Sequence, residues 1–232
     1  VLELEHYRAD GSIIWLGMNI SIMRDHLGNP TGFLGVSRDI SSLKQAHEDL
    51  QYRIDHDDLT GIYNRRRYEK EIEHLNVRDQ LPLSIIIADI NGLKLINDSF
   101  GYSEGDKIIK LSVKLISSCC REGDVLARTG GDEFTILLPK TDNQTASALI
   151  ETIQKACDQH NAEIENDAFH INLSFGTDTI MDLSDSFIQV HRRAEDYLNQ
   201  SKLLKKNSAN SAIIASIKAA MLEKSDETEA HS

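Results

Sequence analysis

From the N-terminus, apolar and β-branched residues gather into three short runs, 2–8, 12–23 and 31–40, separated by Asp10-Gly11 and by Gly28-Asn29-Pro30. Such dipeptides between β-rich runs are strong turn signals, so residues 1–40 predict a three-stranded antiparallel meander. Forty residues cannot bury an adequate core alone. These strands must pack on further sequence, on the next domain, or on a second copy. From Ser41 to His56 the period changes: Leu43, Ala46, His47, Leu50 and Ile54 recur three or four apart among charged residues. That spacing predicts a helix over 41–56 with a narrow apolar seam, either a short two-stranded coiled coil or an amphipathic helix lying on the next domain.

Asp57-Asp58-Leu59-Thr60-Gly61 breaks the helical period, and Asn64 is placed to cap a new helix whose Tyr68, Ile72 and Leu75 share a face. Leu83 to Ile90 is nearly all apolar, as in a strand buried on both faces, yet Asp89 stands near its end. A buried charge is costly unless paired or bound to a metal, which makes Asp89 a candidate for chemistry. Residues 91–102 read as a loop with a short helix. Ser103 and Asp106 form a capping box before a wide apolar helix through Ile108, Leu111, Leu115 and Cys119. Runs 125–127 and 134–138 flank Thr129-Gly130-Gly131-Asp132, the composition of a tight hairpin turn whose glycines let a ligand approach the backbone. A helix from Ala146 to Cys157, a half-exposed strand in which Phe169, Ile171, Leu173 and Phe175 alternate with polar residues, and a helix through Phe187, Val190, Ala194 and Leu198 complete the order. The result is an α+β fold: a mostly antiparallel sheet flanked by helices, spanning 57–212, with a small N-terminal meander. Residues 213–232 read as a polar tail, expected to be partly disordered.

Composition narrows the chemistry. A net charge of -12 argues against nucleic acid, whose backbone binding draws on clustered Lys and Arg. No apolar run approaches the roughly 18 residues that cross a bilayer, and three cysteines without disulfide or metal-ligand spacing fit a reducing cytoplasm. The start at Val1 suggests a piece of a longer protein. Any phosphate site here must be built from a metal, backbone amides or a few placed cations. Asp89, at a strand end, and Asp132 and Glu133, at the hairpin tip, are hard oxygen ligands suited to Mg²⁺, with Mn²⁺ an acceptable substitute. Zinc is disfavoured, because none of the nine histidines forms a His-x₃-His pair.

The runs DDLTGIYNRR (57–66), ADINGLKLINDSFGYSEGD (88–106) and REGDVLARTGGDEF (121–134) closely resemble the GGDEF-domain diguanylate cyclases, over residues 55 to 210. The meander and its closing Arg38-Asp39-Ile40-Ser41 resemble the C-terminal half of a PAS sensor domain. The first resemblance implies a palm-like sheet and the condensation of two GTP into cyclic di-GMP and two pyrophosphates across a homodimer. It implies Asp89, the carbonyl of Ile90, Asp132 and Glu133 as Mg²⁺ ligands, with Asp132 also a proton acceptor and Lys94 a transition-state cation. Asn97 and Asp106 match the guanine-reading pair, and Lys202 and Lys206 the triphosphate cations. Tyr102 stands where most members have His, Asn91 where Asp is usual, and Lys205-Lys206 where Gly-Arg is usual. Gly130 and Gly131 would lie against guanine. Arg121 and Asp124 match the inhibitory site that binds the product. Duller roles remain open for several of these: a helix cap for Asp106, a turn cap for Asn97, a solvated charge for Lys94, helix C-terminal cations for Lys202 and Lys206, and a surface ion pair for Arg121 and Asp124. The rival to a cyclase is an inactive member that binds GTP or cyclic di-GMP as a receptor.

Overall fold

The computed structural model describes residues 2–75 and 77–230, with side chains described throughout except at 206–210, 212–213 and 216–230. The chain divides into two compact units between Ile54 and Asp55. In the first, β1 (Leu2–Tyr7), β2 (Ile13–Arg24) and β3 (Pro30–Asp39) form the expected antiparallel meander in sequential order. Its turns use Gly11 and Gly28 at φ 82° and 87°, a left-handed conformation that other residues adopt only with strain. The pairs Leu2–Met18, Leu4–Leu16 and Ile22–Phe33 face each other and so collect on one side of the sheet. Helix α1 (Ser41–Asp55) starts where the Ser41 hydroxyl accepts the Trp15 amide, and the Lys44 ammonium lies 3.5 Å over the Trp15 ring. The seam residues Leu43 and Leu50 are exposed.

The second unit carries a five-stranded sheet in the order β4-β6-β7-β5-β8. These are Tyr63–Asn64, Val125–Arg128, Glu133–Leu138, Leu83–Ile90 and Leu173–Ile180, with only the β4–β6 pair parallel. Alternation along β5 explains the layers. Ile86, Ala88 and Ile90 pack toward α3 (Leu93–Phe100), α4 (Tyr102–Cys119) and α5 (Asn143–Asn161). Leu83, Ile85 and Ile87 pack toward α2 (Arg65–Leu75) and α6 (Phe187–Ala230). Every residue of β5 is buried, so its last carboxylate, Asp89, is held by a rigid, covered strand.

Several local expectations are corrected. Asn64 does cap α2, its Oδ1 accepting the Arg67 amide. The Ser103–Asp106 capping box is not made, however: α4 begins earlier, at Tyr102, after Gly101 at φ 90°, with no side-chain cap. The last strand starts at Leu173 rather than near Phe169 and continues to Ile180. Asn166 caps a 3₁₀ turn at Asp167–Phe169, and the Asn161 amide side chain bonds both the N–H and the carbonyl of Ile171. Those side chains satisfy backbone groups that a strand would have paired, which holds the segment off the sheet. The expected tail is helical as far as Ala230: no Gly or Pro follows Gly176, and Ala, Ile, Leu, Met, Lys and Glu dominate after residue 211, so nothing breaks α6.

Candidate active site

The hairpin tip is closed by two amides, Thr129 and Gly130, that donate to the Glu133 carbonyl at 3.0 and 3.2 Å. The register of β5 against β7 sets Asp89 opposite Glu133, and the Ile90 amide donates to the Asp132 carbonyl at 3.0 Å. The end of β5 is thereby tied directly to the tip. A second tie comes from Arg128, which sequence reasoning passed over. Its guanidinium donates to the Gly131 carbonyl at 2.6 Å and to both oxygens of Asp57 at 3.1 and 3.3 Å. Asp57 also accepts from the amide and hydroxyl of Thr60. Burial pushes the Asp57 carboxyl up, but the Thr60 and Arg128 bonds outweigh it and leave the group below its ordinary range. The sequence carries no local signal for this clamp: Arg128 directly follows the apolar run 125–127, and Asp57 lies 71 positions away.

Asp89 and Asp132 line one cavity of about 610 Å³ together with Ile90, Lys94, Asp98 and Lys202. The Lys202 ammonium lies 2.6 Å from Asp89. Even so, burial, with the charges of Asp132 and Glu133 behind it, pushes the Asp89 carboxyl up to about 6. Glu133 is turned aside: its carboxylate accepts the Thr129 hydroxyl at 2.8 Å and is not in the cavity wall. Asn91, at the end of β5, is held on both sides, its amide donating to Asn172 at 2.9 Å and its oxygen accepting from Ser174 at 3.0 Å.

Among the described residues, the other sequence candidates are not in the wall of this cavity. Gly105 leaves room for Asn97: a Cβ there would stand 1.8 Å from Asn97 Oδ1. That oxygen is buried without a hydrogen-bond partner among the described residues, a costly state that a donor on a ligand would relieve. Asp106 is half-buried one turn into α4, while Tyr102 at the helix start is exposed, as are Gly130 and Gly131. The Lys206 side chain lies outside the described residues. Arg121 is folded onto Asp124 at 3.0 Å and donates to the Thr141 hydroxyl at 2.7 Å, beside a second cavity of about 240 Å³ lined by Thr145 and Thr152. The ion pair expected of a dull Arg-x-x-Asp is therefore formed, with a hollow next to it.

Among the described residues, no three His, Cys, Asp or Glu side chains gather as a metal cluster. Of the three carboxylates in the cavity wall, Asp89 and Asp132 are the two tied together by the Ile90 amide, and with Asp89 buried they nevertheless match the one or two protein carboxylates with which Mg²⁺ is usually held. Asp89 and Asp132 fit that ion, and Glu133 would have to leave Thr129 to join them.

The family described as "Diguanylate cyclase, GGDEF domain" matches residues 54–208. The chain belongs to this family. Among curated relatives of this GGDEF protein, diguanylate cyclase DgcM of Escherichia coli K12 is 34% identical over 161 residues, covering 66% of this chain and 38% of the relative. A diguanylate cyclase of Vibrio cholerae O395 is 31% identical over 192 residues, covering 82% and 59%. The chain thus spans only 38% to 59% of those relatives' lengths. Among solved structures, the coiled coil and GGDEF domain of DgcB from Caulobacter crescentus, in complex with c-di-GMP, superposes with a TM-score of 0.64 at 22% identity, covering 72% of this chain and 91% of that one. At that identity the likeness speaks for the GGDEF fold alone.

Proposed function

We propose that this GGDEF protein condenses two GTP into cyclic di-GMP and two pyrophosphates, working as a homodimer. The observation that carries the reading is the convergence of Asp89 and Asp132 with Lys94 and Lys202 in one cavity at the tip of the GGDEF hairpin. Mg²⁺, held by Asp89, Asp132 and the Ile90 carbonyl, would neutralise phosphate charge and acidify the attacking hydroxyl. The chain's own groups do the rest. Asp132, with Glu133 beside it, accepts the proton of the 3′-hydroxyl as it attacks the α-phosphorus of the other GTP. Lys94 and Lys202 stabilise charge on the phosphates, and in doing so Lys202 gives up Asp89. The orphaned Asn97 oxygen and Asp106 read the donor edge of guanine, with Tyr102 and the exposed glycines at its rim.

With one GTP held in this cavity of each chain, two chains must face each other for two bonds to form, and the exposed Leu43 and Leu50 of α1 offer a seam for that pairing. In this reading the meander and α1 pass a sensor's state to the cyclase, and product binds at Arg121 and Asp124 to inhibit it. Arginine there can fork onto phosphate and stack on guanine. No described helix is long and apolar enough to cross a membrane, and we place the activity in the cytoplasm, where GTP is supplied.

The test incubates the chain with GTP and Mg²⁺ over a range of protein concentrations and quantifies cyclic di-GMP and pyrophosphate. Product formation that rises more steeply than protein concentration, is lost in Asp132→Ala and is inhibited by added cyclic di-GMP except in Arg121→Ala supports every part. Tight GTP binding with no turnover, unaltered by Asp132→Ala, overturns the cyclase in favour of a receptor.

A further inference from the structure

The cavity beside Asp89 and Asp132 is not built wholly from the part of the chain that matches the family. The match ends at residue 208, yet Ile214 stands in the same wall as Asp89, Asp132, Lys94 and Lys202. Helix α6 carries it there, running without a break from Phe187 to Ala230. Ile214 follows Lys202 by twelve residues, about 18 Å of helix at 1.5 Å per residue. The cavity is therefore a trough alongside α6. Its wall carries charge at Lys202 and Asp89, which meet, and at Lys94 and Asp98 of α3, and apolar surface at Ile214 and at Leu95 of α3.

Ile214 is 45% exposed, so it is not a core residue and the fold gains little from it. What an apolar side chain can do in the wall of a charged trough is displace water. Lower local dielectric strengthens the attraction between phosphate oxygens and the cations of that wall. We propose that Ile214, on α6 beyond the family match, belongs to the substrate site as a positioning residue that walls in the bound nucleoside triphosphate. The inference rests on the reading that this cavity takes GTP.

The experiment compares Ile214→Ala, Ile214→Leu, Ile214→Glu and Ile214→Lys in the full chain, with Leu204→Glu as a control at an 85% exposed position outside the cavity wall. Loss of a partly buried apolar contact in Ile214→Ala should raise KM for GTP about threefold to tenfold, with kcat within about twofold. Ile214→Leu should behave as the parent. Ile214→Glu should raise KM more than about tenfold by repelling phosphate, while Ile214→Lys should bring it to or below the parent value. That dependence on the sign of the charge is what a merely structural role would not produce. The inference is overturned if Ile214→Glu leaves KM unchanged, if Glu and Lys shift it alike, or if Leu204→Glu shifts it equally. The same variants are titrated calorimetrically with the Mg²⁺ complex of α,β-methylene GTP. If the parent binds this analogue but makes no cyclic product, the cyclase reading falls and the order of dissociation constants judges Ile214. If the parent binds no analogue, both fall.

Discussion

The two sheets of this protein are built from similar residues and meet opposite fates. In the N-terminal meander Ile20, Ile22, Phe33 and Val36 are all more than half exposed. In the five-stranded sheet, Ile85, Ile86 and Ile87 lie next to one another in β5 and are 0 to 1% exposed. Strand propensity made both sheets, but only the second has helices on both faces, so only there does apolar area leave water. The candidate chemistry follows the same division. Asp89 can be kept buried and short of positive charge only because the strand beneath it cannot move away.

The sharpest way to probe this contrast is at Asp89 itself. If Asp89 holds Mg²⁺ as proposed, Asp89→Asn should lower cyclic di-GMP formation by about 10³-fold, because a ligand and a charge would be lost together. The same change should stabilise the metal-free fold. Burial has raised the carboxyl from 3.8 to about 6, so at neutral pH its ionisation costs roughly 3 kcal/mol. The folded state binds this proton more tightly than the unfolded chain. In the parent, stability therefore falls as pH rises from about 4 through 6, and in the variant this slope disappears. Thermal melts in EDTA across that range measure it, and a variant less stable at pH 7 would contradict the account.

Next in size, Ile86→Ala in the covered sheet should cost about 2–5 kcal/mol in urea unfolding of the second unit, whereas Ile22→Ala in the meander should stay within about 0.5 kcal/mol. Equal costs would mean that the meander face is covered in solution. A somewhat smaller effect is expected where helix meets sheet most tightly. A Cβ at Gly176 would stand 2.0 Å from the Ala194 carbonyl oxygen, so Gly176→Ala should push α6 off β8 at about 1–3 kcal/mol. Because Lys202 travels with α6, KM for GTP should rise as well. Smallest is the clamp: Arg128→Lys loses the forked contact to Asp57 and Gly131 and should lower kcat about tenfold with a drop in Tm of a few degrees. An unchanged kcat would show that the hairpin tip holds its shape without it.

Much of the covered unit was legible. Continuous apolarity marked β5, glycines marked the hairpin, and helical spacing marked α2, α4 and α5, because each of these signals is local. The misreadings occurred where side chains competed with backbone: Asn161 and Asn166 delayed β8, and Gly101 began α4 ahead of the supposed cap. The omissions were contacts made over long separations. Arg128 reaches Asp57 across 71 positions, and nothing near either residue announces the other.

By itself, the sequence determined the class of fold, the acids available for metal and phosphate chemistry, and the family they belong to. Tertiary structure decided which of those acids meet. The antiparallel register of β5 on β7, fastened by the Ile90 amide on the Asp132 carbonyl, brings Asp89 and Asp132 into one cavity while Thr129 holds Glu133 aside. It also brought Ile214 of the long α6 to the same cavity, at a point where the family pattern has already ended. Register and helix trajectory are set by the packing of whole layers, and no short stretch of sequence contains that information.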